Sequence, residues 1–253
     1  MIYVMYFSPT GGTKKVVDIL GRTWKGEKRE IDLSDPNLRA EEFTFTKEDV
    51  CLAAVPAFGG RVPEAALSPV RKMSGNQAKA VLIAVYGNRE YDDTLLEWKE
   101  ELENVGFRCG AAVGAIAEHS ILRQFASGRP DTQDEKVLEE FGIRICEALQ
   151  GDEIKAVSVP GKKPYQNYPG VPLKPKADRH CVSCGLCAGL CPVSAIPKER
   201  PSETNEKVCV TCMRCVAVCP QHARKLNKAA LALVAQKLKK ECSTRKESEL
   251  FLP

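Results

Sequence analysis

The chain has 253 residues, of which 43% are hydrophobic and 28% are charged. These fractions are ordinary for a globular protein, and the length is enough for two domains of about 100 to 200 residues each. No apolar run approaches the roughly 18 residues that a membrane-spanning helix needs. The apolar opening at residues 2–7 lacks the basic region and the length of a signal peptide. We therefore expect a cytoplasmic protein with no membrane span.

The formal net charge of +4 is unevenly distributed. Residues 1–150 carry 19 Lys and Arg against 24 Asp and Glu, which gives −5, whereas residues 151–253 carry 18 against 9, which gives +9. Opposite charges favour docking of one half onto the other. The lysines of the second half are scattered, without interleaved aromatic residues, so we interpret them as a solvated linker and helix face and expect no nucleic-acid binding.

A strand predicted at residues 2–7 leads into a loop of hydroxyl residues and glycines, and then into a helix with apolar spacing. Backbone N–H groups and hydroxyls at a helix start can bind a phosphate, although the same pattern also makes a plain helix cap. A Walker A loop is excluded because G-x4-G-K-[ST] is absent. The candidate phosphate-binding residues are Ser8, Thr10, Gly11, Gly12 and Thr13.

Further strands are predicted at 30–33, 50–55, 80–86 and 110–116, separated by helices at 64–73, 91–104 and 132–149. This alternation is typical of a doubly wound α/β fold with a parallel five-stranded sheet, and it places the first domain at residues 1–150. Ligands of such folds bind at the carboxyl ends of the strands, where the strand order reverses.

Two loops at those strand ends contain glycines, aromatic residues and arginines. Glycine lets the backbone approach a planar ring, and an aromatic residue can stack on one. Phe58, Tyr86 and Tyr91 are the candidate stacking residues, although each could equally be packing within the core. The candidate ring-binding residues are Pro56, Phe58, Gly59, Gly60, Arg61, Tyr86, Gly87, Asn88, Arg89, Tyr91 and Asp92.

The phosphate-binding loop and the two ring-binding loops resemble those of a known family. Residues 8–13 resemble the flavodoxin signature [ST]-x-T-G-x-T, which binds the 5′-phosphate of FMN, and the two later loops resemble the isoalloxazine-binding loops of flavodoxin-like domains. Tyr-Gly-Asn-Arg at 86–89, followed by Tyr-Asp-Asp at 91–93, is similar to flavodoxin-ferredoxin fusion proteins of anaerobes. The resemblance implies a noncovalently bound FMN. The chain departs from ordinary flavodoxins in lacking a Trp in the first ring loop and in its brief second strand.

The segments before and after the cysteine-rich region carry weaker sequence signals of structure and function. His119 precedes a long loop at 121–130, which we expect to cover the ligand or contact a second domain, although His119 could be an ordinary loop histidine. Residues 151–176 form a linker rich in Pro and Lys. Residues 227–253 are expected to be a helix at 227–241 and a frayed tail. We expect the thiol of Cys242 to be exposed, and those of three other non-ligand cysteines to be buried.

Eight of the twelve cysteines lie between residues 181 and 220 in two copies of C-x2-C-x2-C-x3-C-P, 28 residues apart. Zinc binds four thiolates per ion and has no use for a regular third and fourth cysteine followed by proline. A disulfide framework suits small secreted domains. The spacing therefore favours iron-sulfur clusters. The candidate ligands are Cys181, Cys184, Cys187, Cys191, Cys209, Cys212, Cys215 and Cys219.

This segment resembles a two-cluster bacterial ferredoxin, a small α+β domain that we place at residues 177–226. In such ferredoxins the fourth cysteine of each copy ligates the other cluster. The resemblance therefore implies two 4Fe-4S clusters. Their ligand sets are Cys181, Cys184, Cys187 and Cys219 for one, and Cys209, Cys212, Cys215 and Cys191 for the other.

The combined resemblance implies an electron-transfer flavoprotein that converts between one-electron and two-electron carriers, with the cofactors doing the chemistry. A second interpretation is a reductase of a quinone or other small molecule, fed by its own ferredoxin domain. A sensor based on cluster loss is a third, without a DNA-binding motif to support it. The expected partners are redox proteins or a small-molecule acceptor. The linker also permits exchange between two chains, which leaves a homodimer open.

Overall fold

The computed structural model describes residues 1–151 and 153–253; Asp152, in the predicted linker, lies outside the described residues. Strands and helices alternate through the first 150 residues. They are β1 (Ile2–Tyr6), α1 (Gly12–Gly21), β2 (Lys28–Asp32), a 3-10 helix (Pro36–Ala40), β3 (Val50–Pro56), α2 (Glu64–Val70), β4 (Lys79–Tyr86), α3 (Thr94–Asn104), β5 (Arg108–Ile116) and α4 (Thr132–Ala148).

The first five strands form a parallel sheet in the order β2-β1-β3-β4-β5. This is the flavodoxin-like order of a doubly wound sheet, so the predicted fold is confirmed. The predicted strand number was too small, because a three-residue strand, β8 (Glu249–Phe251), pairs antiparallel with the edge of β5. The full sheet therefore has six strands, and the sixth comes from the end of the chain.

Helices cover both faces of the sheet because strands β1, β3, β4 and β5 present apolar side chains to both faces. On one face α1 and α4 pack through buried residues such as Leu20 and Leu138. On the other face α2 and α3 contribute Leu67 and Trp98, and the indole nitrogen of Trp98 donates to the carbonyl of Ala53 at 2.9 Å. Both faces are thereby closed, and the ends of the strands remain available for ligands.

The linker lies along the first domain. The carboxylate of Asp93 accepts hydrogen bonds from the backbone nitrogens of Lys162 (3.0 Å) and Gln166 (2.8 Å). Val157 is buried, and its backbone nitrogen donates to the carbonyl of Cys109 at 2.9 Å. These contacts hold the segment against the sheet domain and fix the position from which the next domain begins.

The C-terminal segment is ordered by contacts with the first domain, so the expected frayed tail was wrong. Helix α7 (Lys228–Cys242) packs on the loop at 121–130, where Leu122 and Phe125 surround the thiol of Cys242. That thiol is therefore buried, contrary to the expectation that it is exposed. The side-chain amide of Asn88 donates to the carbonyls of Cys242 (2.7 Å) and Thr244 (2.8 Å).

The cysteine-rich domain contains β6 (Lys176–Ala177), α5 (Leu186–Gly189), α6 (Arg214–Ala217) and β7 (Arg224–Lys225), and β6 pairs antiparallel with β7. The 28-residue repeat is present in the backbone. Left-handed φ angles occur in pairs at that spacing, at Ser183 and Thr211 (53° and 56°), Gly185 and Met213 (77° and 66°), and Ser194 and His222 (52° and 48°). The two halves therefore have the same loop conformation. Among the described residues, no helix combines the length and apolar content needed to cross a membrane.

Candidate cofactor sites

A hollow lies at the carboxyl ends of the central strands; we call it the switch-point hollow. It spans about 520 Å³ of space between atoms, part of which is open to solvent. Thr10, Gly12 and Thr13 line one end of it. The predicted phosphate loop and parts of both predicted ring loops therefore lie around one space.

The phosphate loop is shaped by a left-handed turn. Gly11 has φ +91° and precedes the first turn of α1, and the hydroxyl of Ser8 accepts a hydrogen bond from the backbone nitrogen of Lys14 at 2.9 Å. Neither Ser8 nor Gly11 is among the residues that line the hollow. Ser8 therefore caps the helix, and Gly11 provides the turn that turns Thr10 and Thr13 toward the hollow.

The two lysines after this loop already have partners. Lys14 pairs with Asp18 at 2.8 Å and Glu30 at 3.1 Å, and Lys15 donates to the carbonyl of Pro130. An anion at the start of α1 would therefore be held by backbone N–H groups, hydroxyls and the helix dipole. This donor set fits a phosphate group.

Of the eleven predicted ring-binding residues, six line one or both of two neighbouring hollows and five line neither. Pro56, Phe58, Tyr86 and Gly87 line the switch-point hollow. Phe58 and Gly87 also line a neighbouring space, here named the apolar hollow, to which Gly59 and Arg89 contribute. These six residues could contact a planar ring.

The remaining predicted ring contacts point elsewhere. Arg61 forms an ion pair with the buried carboxylate of Glu97 at 2.6 Å and donates to the carbonyl of Gln166 at 2.9 Å. Gly60 lies against Gln166 and Asp92, and the Asp92 carboxylate pairs with Arg89. Arg61 is thus held by Glu97 and the linker, outside both hollows.

Asn88 and Tyr91 contact the C-terminal tail. The hydroxyl of Tyr91 donates to the carboxylate of Glu249 in β8 at 2.7 Å, and its ring packs edge-on against Tyr86 with centroids 5.2 Å apart. Burial and this hydrogen bond raise the pKa of Tyr91. Asn88 has the tail contacts described above. Both residues attach the tail and line neither hollow.

The apolar hollow is lined by residues of the first domain, the linker, the cysteine-rich domain and α7. It spans about 820 Å³, part of which is open to solvent, between the ring loops, the linker residue Tyr168, Thr211 of the cysteine-rich domain, and Leu238 of α7. A Cβ on Gly59 would lie 2.2 Å from the ring of Tyr168, so glycine is required there for this close approach. Tyr168 supplies an aromatic wall beside the first ring loop, which lacks a Trp. The proline-rich sequence around Tyr168 contains no pattern that predicts this role.

The cysteines surround two hollows of nearly equal size, about 330 and 340 Å³. The first cysteine hollow is lined by Cys181, Cys184, Cys187 and Cys219, and the second by Cys191, Cys209, Cys212 and Cys215. Each group combines three cysteines of one copy with the fourth of the other copy. Among the described residues, no three side chains of His, Cys, Asp or Glu are close enough to share a single metal ion. The arrangement fits groups that need four spaced thiolates, and the ligand assignment stays a prediction.

Backbone donors and buried arginines lie around the cysteine hollows. The backbone nitrogens of Ala195 and Ala223 donate to the sulfurs of Cys191 (3.2 Å) and Cys219 (3.3 Å), at matching positions of the repeat. Arg224, only 1% exposed, lines the first cysteine hollow. These donors can stabilise the negative charge of thiolate-bound clusters.

The second cysteine hollow adjoins the switch-point hollow, because Cys212 lines both. Arg214, which lines the second cysteine hollow, donates to the hydroxyl of Ser34 at 3.0 Å and so connects the two domains. The first cysteine hollow faces outward, since Cys184 is exposed and Val182 is 64% exposed. Of the two cysteine hollows, the second is therefore the one that borders the switch-point hollow.

Residues 176–224 match the family described as 4Fe-4S dicluster domain. The comparison with curated proteins finds no match. Among solved structures, the flavodoxin of Streptococcus pneumoniae TIGR4 is similar at 11% identity, over 58% of this chain and 97% of that chain, with a TM-score of 0.39. Flavodoxin 2 of Bacillus cereus is similar at 14% identity over 58% and 97%, with a TM-score of 0.41.

Proposed function

We propose that this chain, a fusion of a flavodoxin-like domain with a 4Fe-4S dicluster domain, is an electron-transfer protein that holds FMN and two 4Fe-4S clusters and passes electrons between them. The observation that carries the proposal is the position of Cys212, which lines the switch-point hollow together with the phosphate loop and both ring loops. A cluster ligand and the flavin site thus share one wall.

In this proposal the start of α1 holds the phosphate of FMN through Thr10, Gly12 and Thr13. Phe58, Gly59 and Gly87 lie beside the ring, with Tyr168 from the linker as a further wall. A flavin accepts two electrons in single steps, whereas each cluster carries one, so their union connects one-electron and two-electron partners.

The cluster held by Cys191, Cys209, Cys212 and Cys215 is then proximal to the flavin, and the cluster held by Cys181, Cys184, Cys187 and Cys219 is distal. The exposure of Cys184 and Val182 makes the distal cluster the one that an external electron carrier can approach. We therefore propose that the external partner binds at the loop that contains Val182 and Cys184.

The charge difference between the domains supports docking with cofactors present. A 4Fe-4S cluster with four thiolates carries roughly −2, so two clusters lower the C-terminal +9 to about +5. The FMN phosphate makes the N-terminal half more negative than −5. Attraction therefore remains, and salt weakens it beyond about 10 Å at 0.1 M ionic strength.

Rapid mixing of the anaerobic holoprotein with a one-electron reductant tests the relay. We expect cluster absorbance to fall first and flavin absorbance to follow at a rate independent of protein concentration, because transfer occurs within one chain. A flavin reduction rate proportional to protein concentration would show transfer between molecules and would contradict the proposal.

A second candidate, a flavin-dependent reductase of a quinone or other small molecule, is favoured by the apolar hollow beside the ring loops. Steady-state turnover with dithionite and a panel of quinones separates the two functions. Saturable turnover competed by an apolar ligand of the hollow would favour the reductase. Electron exchange only with protein carriers would favour the relay.

A further inference from the structure

His119 lies at the junction of the two hollows that surround the proposed flavin site. It follows β5 and lines both the switch-point hollow and the apolar hollow. Its main chain and ring base pack against Gly87, where an added Cβ would come within 2.6 Å of the His119 Cβ and 2.7 Å of its Cα. Gly87 therefore has to be glycine for the second ring loop to contact His119 this closely.

Two backbone hydrogen bonds fix the ring of His119. Its Nδ1 accepts from the backbone nitrogens of Ile121 and Leu122, both at 3.2 Å. A nitrogen that accepts hydrogen bonds carries no proton, so the neutral ring has its proton on Nε2. A charged ring would need a second proton on Nδ1, directed at two N–H donors. The loop at 121–130 thereby selects the neutral tautomer with Nε2–H.

The surroundings of the ring favour the same state. Burial lowers the pKa of His119; a hydrogen bond with its own backbone opposes this shift, and the positive charge of Arg89 adds to it, so that the pKa is lowered on balance. Arg89 and Glu90 line the apolar hollow, and the neighbouring Glu118 is paired with Arg123. The ring of Phe125 packs 6.5 Å from the imidazole, centroid to centroid. The imidazole also borders both hollows.

We infer that His119 presents its Nε2–H to the edge of the bound flavin ring as a neutral hydrogen-bond donor. The inference rests on the proposed FMN site. A donor aimed at a ring acceptor stabilises the electron density that reduction adds to the ring, without placing a formal charge in the hollow. The same group also orients the ring, because its Nδ1 is anchored to the loop that α7 covers.

Two amide substitutions separate this role from simple support of the loop. In His119→Asn the side-chain oxygen can replace Nδ1 as the acceptor for Ile121 and Leu122, while the donor at Nε2 is lost. In His119→Gln the longer side chain returns an N–H group to the position of Nε2. His119→Asn therefore removes the donor and His119→Gln keeps it, while both side chains are neutral amides of similar polarity.

The experiment measures three properties of the full-length anaerobic holoprotein: the reduction potential of the bound flavin, the infrared frequency of isotope-labelled flavin carbonyls, and the FMN affinity of flavin-free protein. For His119→Asn we expect a lower potential, a shifted carbonyl or ring band, and FMN binding weaker by about fivefold to tenfold, the scale of one hydrogen bond. His119→Gln should lie closer to wild type in all three.

Two outcomes would overturn the inference. One is a His119→Asn variant with the wild-type band, potential and affinity. The other is an effect of His119→Gln as large as or larger than that of His119→Asn; because only Asn keeps the acceptor for Ile121 and Leu122, this result would assign His119 to support of the loop. Wild-type protein that binds no FMN would instead refute the proposed function, so the two failures are distinguishable.

Discussion

At the scale of single residues, the phosphate loop shows how similar side chains acquire different tasks. Ser8 and Thr10 both fit the sequence signature, yet Ser8 caps α1 while Thr10 faces the hollow. Both residues lie just before Gly11, the left-handed N-cap residue of α1 with φ +91°. The hydroxyl of Thr10 is therefore the better target for testing the proposed phosphate site.

Thr10→Asp should weaken FMN binding strongly, because a carboxylate would face the phosphate while Lys14 and Lys15 are already engaged with other groups. An affinity loss of about 100-fold or more is the expected scale for one uncompensated like charge at close range. Fluorescence titration of flavin-free protein measures it.

The matched control is Ser68→Asp, which adds the same charge at an exposed position of α2. It should leave the affinity unchanged. An equal loss in both variants would point to net charge, and wild-type affinity in Thr10→Asp would remove the phosphate from this loop.

At the scale of elements, the C-terminal tail is the main structural departure from the sequence prediction. Three residues pair with β5, and the tail is further held by the ion pair of Arg245 with Asp131 at 2.7 Å. Arg129, buried against Asp134, also donates to the carbonyl of Lys246 at 2.8 Å. These contacts keep α7 over the apolar hollow, so the tail determines how closed the proposed flavin site is.

Asn88→Gly should release the tail. Glycine tolerates the left-handed φ of 67° at this position, so the substitution removes the amide contacts without backbone strain. Loss of buried hydrogen bonds to two carbonyls should lower the free energy of unfolding by about 1 to 3 kcal/mol. Hydrogen exchange of residues 243–253 and urea denaturation report the two effects.

Asn76→Gly is the control, because Asn76 is also left-handed, with φ 44°, but is exposed and far from the tail in sequence and contacts. Its exchange pattern in the tail should match wild type. Unchanged tail protection in Asn88→Gly would show that β8 and the ion pairs suffice to hold the segment.

At the scale of the whole molecule, the proximal cysteine hollow borders the switch-point hollow through Cys212, and the distal cysteine hollow has exposed residues at its wall. Arg214 connects the proximal cysteine hollow to Ser34 at the end of β2, so the interface between domains is also the interface between cofactors. The docked linker holds the second domain in this position through Asp93 and Val157.

Cys191→Ala should damage the proximal cluster and leave the distal cluster better preserved, although Cys191 is adjacent in sequence to the distal ligands. Wild-type protein should contain about eight iron and eight sulfide per chain. Paramagnetic resonance resolves the two clusters, and rapid mixing should show the distal cluster reduced while flavin reduction is slowed.

Cys219→Ala is the mirror variant, and it should damage the distal cluster instead. If each substitution affected only the cluster of its own sequence copy, the crossed ligand sets would be wrong. Zinc without acid-labile sulfide in the wild-type protein would reject iron-sulfur clusters altogether.

Patterns of local spacing allowed much of this protein to be predicted. Strand and helix periodicity predicted the doubly wound sheet, since apolar runs bounded by turns define buried parallel strands. The doubled cysteine spacing indicated iron-sulfur ligands, and the resemblance to bacterial ferredoxins implied the crossed grouping in which the cysteines line the two hollows.

Contacts between distant residues were decided only by the tertiary structure. Nothing local distinguishes Asn88, which binds the tail, from Gly87, which lines the hollow, and nothing marks Tyr168 as a wall of the apolar hollow. Those roles depend on where the linker and tail dock, through contacts between residues up to about 150 positions apart such as Asn88 and Cys242. Sequence periodicity determines elements through short-range backbone preferences, whereas the closure of the site depends on long-range complementarity that no local pattern encodes.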